Sequence, residues 1–258
     1  HELAMDGRAI VDALPAANAA AEHPIVDTSN ACLLRLAEVV KGEGISVALS
    51  GEGADECFGG YFWTRLESIG APLAEHLPFD LRPWIRRATT LGFGPPVAAL
   101  PIDVAQSLVY DPLASARARF FRGELAASAR ARRPIDAWSL PTAELARLSP
   151  LRRALYVDTV VNLPGHLLLG KGDRVAMQSA VELRYPFLDE DVTDFVATLP
   201  ASSLVRGGRG KLLLREVAAR LGVRTATAAK TMFRADRSSL LLGPSRPAWV
   251  DELLSPES

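Results

Sequence analysis

Residues 45–61 read ISVALSGEGADECFGGY. Ile45, Val47, Ala48 and Leu49 form a short apolar run with β-branched members, which predicts a strand covered on both faces within an α/β sheet. Ser50 and Gly51 end that strand. Ligands of open α/β sheets sit beyond the carboxyl ends of the strands, so Glu52, Asp55 and Glu56 stand where chemistry is usually done. Gly51 and Gly53 let the backbone turn tightly and approach a ligand closely. Three acids in five positions repel one another unless a cation, a protonated group or solvent intervenes. A hard cation such as Mg²⁺, shared with phosphates, would meet that need. The same letters also fit an acidic surface loop whose glycines serve only turns.

On either side of this stretch the pattern is helical. Residues 6–20 (DGRAIVDALPAANAA) and 30–41 (NACLLRLAEVVK) have helical composition, and the second gathers its apolar residues on one face just before the strand. Between them, Asp27 and Ser29 are of the types that cap a following helix. From about residue 64 to 150 the chain is rich in Ala, Leu and Arg and interrupted by prolines, which predicts short helices with solvated faces.

The chain has 258 residues, 48% of them hydrophobic and 23% charged, enough to bury a substantial core. A formal net charge of −1 leaves no electrostatic footprint for nucleic acid or an acidic membrane. No apolar run approaches the ~20 residues that cross a bilayer, so a cytoplasmic location is expected. Cys32 and Cys57 are too few for a disulfide framework or a zinc cluster and read as reduced structural thiols. His1, His23, His76 and His166 lack metal-ligand spacing.

The order of the letters in SGEGADECFGGY resembles the SGEGADE-FGGY signature of the glutamine-dependent asparagine synthetase family. Three further segments resemble that family in the same order. Residues 157–200 contain a leucine-proline start, a lysine with an Asp-Arg pair, and E-x-R-x-PFLD; GKLLLREVAARLG resembles a K-x-x-L-R helix; AKTMF resembles a lysine-containing K-x-x-F segment. The matching parts cover roughly residues 20–63 and 154–236.

The resemblance implies a helix-rich α/β synthetase domain of the adenine nucleotide alpha hydrolase-like (PP-loop ATP pyrophosphatase) type, with a parallel sheet only partly supplied by this chain. It implies three parts: residues 1–63 as the C-terminal part of the ATP-binding core, 64–150 as a variable helical region, and 151–258 as the helical C-terminal part. The implied cofactors are ATP and Mg²⁺. Ser50 and Gly51 would contact the nucleotide, Asp55 the metal, and Glu52 would assist formation or breakdown of an acyl-adenylate. Lys230 would stabilise a developing oxyanion as a point charge. Ser29 and Arg184 are candidate substrate contacts, although capping explains Ser29 and a structural ion pair explains Arg184 as well. Asp189 reads as structural. Lys171, Asp173 and Arg174 fit either a cleft lining or a charged helix start. Lys211, in GGRGKL, imitates a Walker A loop but lacks its first glycine, at Val205, and its hydroxyl, at Leu212; it reads as a turn before a helix.

Two parts of the family pattern do not occur in the sequence: an SGG-x-DS pyrophosphate loop and an N-terminal nucleophilic cysteine domain that hydrolyses glutamine. Together with the start at His1, this leads to the expectation of a glutaminase and pyrophosphate-loop portion on the same or another chain. The expected reaction is ATP-dependent amidation of a carboxylate, aspartate by default, with ammonia from glutamine. Two alternatives stay open: an amidotransferase for another carboxylate, and a noncatalytic partner subunit. Small-molecule substrates are expected, nucleic acid and membrane are not, and self-association is left open.

Overall fold

A computed structural model describes residues 2–23, 28–61, 64, 122–131, 140–229 and 246–253. In chain order, α1 is Gly7–Ala21, α2 is Ser29–Gly42, β1 is Val47–Leu49 and α3 is Ala54–Phe58. Short helices Gly123–Ala131 and Thr142–Leu145 precede α4, Pro150–Val157. A wide-turn π-type segment, Asp158–Asp173, follows and contains Pro164, whose missing amide removes one helical donor. Then come α5 (Arg174–Met177), β2 (Glu182–Arg184), α6 (Glu190–Thr198) and α7 (Leu212–Arg220). The chain divides into two compact units.

The first unit contains His1–Gly53 and Val160–Val192 together with Ala229–Ser258. Asp6 starts α1 by accepting the Ala9 amide at 2.8 Å, which satisfies one of the unpaired amides of the first turn. Ile10, Ala13, Ala17 and Ala21 of α1 then pack on Ala31 and Leu34 of α2 and on Val175 of α5. The alanines let the helix backbones approach closely. Arg174 closes the far end of α1, donating to the Ala21 carbonyl at 2.9 Å with Glu22 3.3 Å from its Nε. A cation at a helix C-terminus satisfies free carbonyls and complements the helix dipole.

β1 and β2 form a two-stranded parallel sheet that pairs Val47 with Glu182, Ala48 with Leu183 and Leu49 with Arg184. Side chains alternate across a strand. Ala48 and Leu183 therefore face Ala37 and Val40 of α2 and Ala176 of α5. Val47 and Leu49 point the other way and are 43% and 74% exposed. The strand expected at residues 45–49 is present, but among the described residues helices cover one face and not two. A parallel strand is buried on both sides only when a helical layer lies on each.

The second unit contains Ala54–Thr159 and Thr193–Ala228. Ala54 and Phe58 of α3 are buried, as are Leu151 and Leu155 of α4 and Leu204 and Val205. Gly59 sits at φ +71°, and the space a Cβ would need is filled by the Val205 side chain. The Arg152 guanidinium donates to the Val196 carbonyl at 3.0 Å and to that of Leu199, tying α4 to the end of α6. Burial lowers the Arg152 pKa.

Candidate active site

In the first unit the loop after β1 and the turn after β2 lie side by side at the carboxyl ends of the two strands. The Ser50 amide donates to the Arg184 carbonyl at 2.8 Å, extending the ladder by one bond. The Ser50 hydroxyl accepts the Glu52 amide at 3.4 Å, a local turn that brings Glu52 back over the strand end. Gly51 is exposed, and a Cβ there would meet nothing within 4 Å. Its neighbour Gly53 is different. It adopts φ +88°, and an added Cβ would lie 2.6 Å from Leu188 Cγ. Only glycine satisfies both demands, so the PFLD turn seats directly on the GEG loop.

Tyr185 belongs to the same corner. Its hydroxyl donates to Asp173 Oδ1 at 2.8 Å. Burial, that hydrogen bond, and the nearby Asp173 and Glu52 carboxylates raise its pKa above the ordinary tyrosine range. Glu52, Tyr185 and Asp173 thus share one electrostatic neighbourhood, and a phenol there stays a neutral donor. Ser29 is the first residue of α2 and almost fully buried, while Thr28 stands at the N-cap without a side-chain cap bond. Asn30 beside it donates to the Gly170 carbonyl at 2.8 Å, which ties the start of α2 to the LPGHLLLGKG segment. Arg184 pairs with Glu182 at 2.8 Å on the exposed surface. Asp189 accepts the Asp191 amide at 3.0 Å, a local turn contact.

In the second unit the remaining acids of the motif have partners of their own. Glu56 is 1% exposed and accepts the Tyr61 hydroxyl. Burial and the charge of Glu56, and then that bond, raise the Tyr61 pKa far above its usual value. Burial also pushes the Cys57 thiol up to about 11, with Glu56 adding to it. Asp55 Oδ1 lies 3.0 Å from Lys211 Nζ. Gly60 makes this pair fit: a Cβ there would overlap Asp55 Oδ1 and Lys211 Cε and come within 2.7 Å of Asp55 Cγ. Arg215, four residues on, donates to the Ala226 and Ala228 carbonyls at 2.9 Å and so fixes the chain that follows α7.

Two of the three acids therefore have a compensating partner within the protein, Lys211 at Asp55 and Tyr61 at Glu56. Among the described residues no group of three or more His, Cys, Asp or Glu side chains could hold a metal ion by itself. Mg²⁺ is commonly held by one or two carboxylates plus substrate phosphates, and the partly exposed Asp55 fits that limited role. Lys230 lies outside the described residues. Two residues stand out beyond their sequence reading: Lys211, read only as a turn before a helix, and Tyr185, given no role. The first was signalled by its place at the head of the K-x-x-L-R helix. The second had no signal except a phenol at a free position of E-x-R-x-PFLD.

Comparison with known proteins bears on this arrangement. A protein-family model described as Asparagine synthase matches residues 1–258. The chain is 28% identical over 249 residues to Amidase chry2 of Gibberella zeae, covering 84% of this chain and 36% of that protein. It is 27% identical over 209 residues to Asparagine synthetase [glutamine-hydrolyzing] 1 of Bacillus subtilis, covering 76% and 31%. It is 30% identical over 206 residues to a putative asparagine synthetase [glutamine-hydrolyzing] of Mycobacterium tuberculosis, covering 75% and 30%. The chain thus spans about a third of the length of the curated relatives it matches. No solved structure matches it significantly.

Proposed function

The chain belongs to the asparagine synthase family, and from that premise we propose that it forms an amide on a carboxylate with ATP, through an acyl-adenylate. Aspartate is the default acceptor, and ammonia comes from glutamine hydrolysed by an N-terminal glutaminase portion. The observation that carries the reading is the corner at the carboxyl ends of β1 and β2, where Glu52, on a glycine-bounded loop, shares one neighbourhood with Tyr185 and Asp173. Adenylation converts a poor leaving group into a good one, and the protein's share of the work is placement and charge. The exposed Gly51 backbone offers the nucleotide a close approach, and Ser50 orients the turn. Glu52 orients the reacting carboxylate as the adenylate forms, or takes the proton released as ammonia adds to the acyl carbon. Ser29 and Arg184 are retained as proposed substrate contacts. Mg²⁺, held by Asp55 and the phosphates, would neutralise the departing pyrophosphate. Lys230 supplies a positive charge to the acyl oxygen.

The fold that accompanies this proposal is the PP-loop ATP pyrophosphatase type, with residues 1–63 in the nucleotide core, 64–150 variable, and 151–258 the helical C-terminal part. The exposed apolar side chains of Ile45, just before β1, and of Val47 and Leu49 on it support a further layer over that face, supplied by the portion that carries the pyrophosphate loop. A cytoplasmic location belongs to the proposal; among the described residues no helix is long and apolar enough to cross a membrane.

A second reading is an amidotransferase for another carboxylate; two relatives, each aligned over 84% of this chain, are named amidases and not asparagine synthetases. One experiment serves both. Exchange of labelled pyrophosphate into ATP, measured on the full protein across a panel of carboxylates, is expected to depend on one acceptor, and the acceptor identifies the reading. Absence of exchange with every carboxylate in a folded protein would leave a noncatalytic partner. Glu52→Gln and Lys230→Ala should each lower turnover by at least a hundredfold, the ordinary scale for losing a proton-transfer or oxyanion-stabilising group. Near-normal turnover in either would remove that residue from its role.

A further inference from the structure

Lys211 is anchored to the acidic loop at both of its ends. Its amide donates to the Phe58 carbonyl at 3.0 Å, and its ammonium lies 3.0 Å from Asp55. It stands at the N-cap of α7 with φ +57° and ψ 35°, and it makes no side-chain cap bond. A non-glycine residue enters the left-handed region at a cost of the order of that of a weak hydrogen bond, so the backbone is bent here in a way that delivers the side chain to Asp55. Gly60 supplies the room, because any Cβ at that position would occupy the space of both partners. The side chains are 20% and 23% exposed, shielded from bulk water yet within reach of an ion.

We propose that Lys211 is the positioning residue of Asp55: its ammonium holds the carboxylate in place in the metal-free protein and releases it when a divalent cation binds there. The inference rests on the assignment of the metal to Asp55 made above. One carboxylate cannot keep an ammonium and a divalent cation both in contact without bringing three positive charges within a few ångströms of one another, and in a partly buried setting water screens that repulsion poorly. Lysine suits the exchange, since a compact charge on a flexible four-carbon stem can swing away, whereas a guanidinium fork would stay engaged. The loop therefore meets a cation at Asp55 in both states.

The test uses the full protein and Mn²⁺ alone, with bound metal read by electron paramagnetic resonance. Lys211→Met should bind Mn²⁺ about fivefold more tightly than wild type, the scale of a partly exposed ion pair, and Lys211→Arg should bind no more tightly than wild type. Unchanged or weaker binding in a folded Lys211→Met protein overturns the proposal. A measurement on the wild-type chain avoids dependence on that variant's folding: acetylation of Lys211, followed by mass spectrometry, should accelerate when Mn²⁺ is added, and a rate that stays constant at saturating Mn²⁺ overturns the proposal as well. Asp55→Asn separates this inference from its premise. If that variant binds Mn²⁺ as wild type does, the metal assignment fails; if it loses binding while Lys211→Met gains none, Lys211 is not the competing cation.

Discussion

Replacing Gly60 with alanine should destabilise the protein through space alone. Gly60 is not among the residues with positive φ, so the new methyl creates no backbone strain. It would instead overlap Asp55 Oδ1 and Lys211 Cε and stand 2.7 Å from Asp55 Cγ. The carboxylate oxygen that the methyl would displace is the one paired with the ammonium, so making room for the methyl disturbs the pair. Overpacking of this kind costs about 1–3 kcal/mol. Separation of the pair adds roughly 1 kcal/mol, a value kept small because both side chains are about one-fifth exposed and partly screened. The sum, about 2–4 kcal/mol, should lower the melting temperature by roughly 5–12 °C in a unit of this size. Thermal unfolding of the full protein followed by circular dichroism measures it. Gly42→Ala is the control, because a Cβ there meets nothing within 4 Å and the backbone is helical. In a Lys211→Met background the cost of Gly60→Ala should shrink, since no ion pair remains for the methyl to break. A Gly60→Ala protein that melts within about 1 °C of wild type, or a cost unaltered by Lys211→Met, would refute this account of the pair.

Three further outcomes follow from other contacts. Leu34→Ala removes a fully buried side chain from the α1–α2–α5 core and should cost about 2–5 kcal/mol; a denaturation midpoint equal to wild type would mean that this core does not form. Tyr61 and Tyr185 both have raised pKa values in the folded protein, so the unfolded chain loses its tyrosine protons first as the solution becomes alkaline. Their contribution is complete below the ordinary tyrosine pKa of about 10 and declines above it; Tyr185→Phe should therefore show a shallower loss of stability than wild type between about pH 9.5 and pH 11.5, and parallel curves would count against the raised value. The Cys57 thiol, moved from 9.0 to about 11, should hold about a hundredfold less thiolate than an ordinary thiol near pH 8; iodoacetamide labelling of Cys57 at an unperturbed rate would contradict its burial beside Glu56.

Much of the scaffold was legible because its causes are local. Helices expected at residues 6–20 and 30–41 occur as Gly7–Ala21 and Ser29–Gly42, since 3.6-residue periodicity is written within a few neighbouring positions; the cap expected of Ser29 is not made, because Ser29 is already helical and Thr28 precedes it without a side-chain cap bond. The strand was legible as well, but its burial was not. An apolar run states that a strand exists, while the layers that cover it come from remote segments, and here α2 and α5 lie on one face only. The acids show the same division. Their crowding in GEGADE was plain from the letters, yet the compensating groups are Lys211, far along the chain, and a tyrosine five residues on.

By itself the sequence determined the family, the order of the motifs and the positions of the first two helices and the first strand. Tertiary structure alone decided that β1 takes β2 as its parallel neighbour, that the PFLD turn seats on Gly53, that Tyr185 stands near Glu52 and that Lys211 holds Asp55. The physical reason is one of range. Propensity, capping and periodicity act over a turn or two of chain, whereas an ion pair or a strand pairing depends on where the intervening residues carry its two halves.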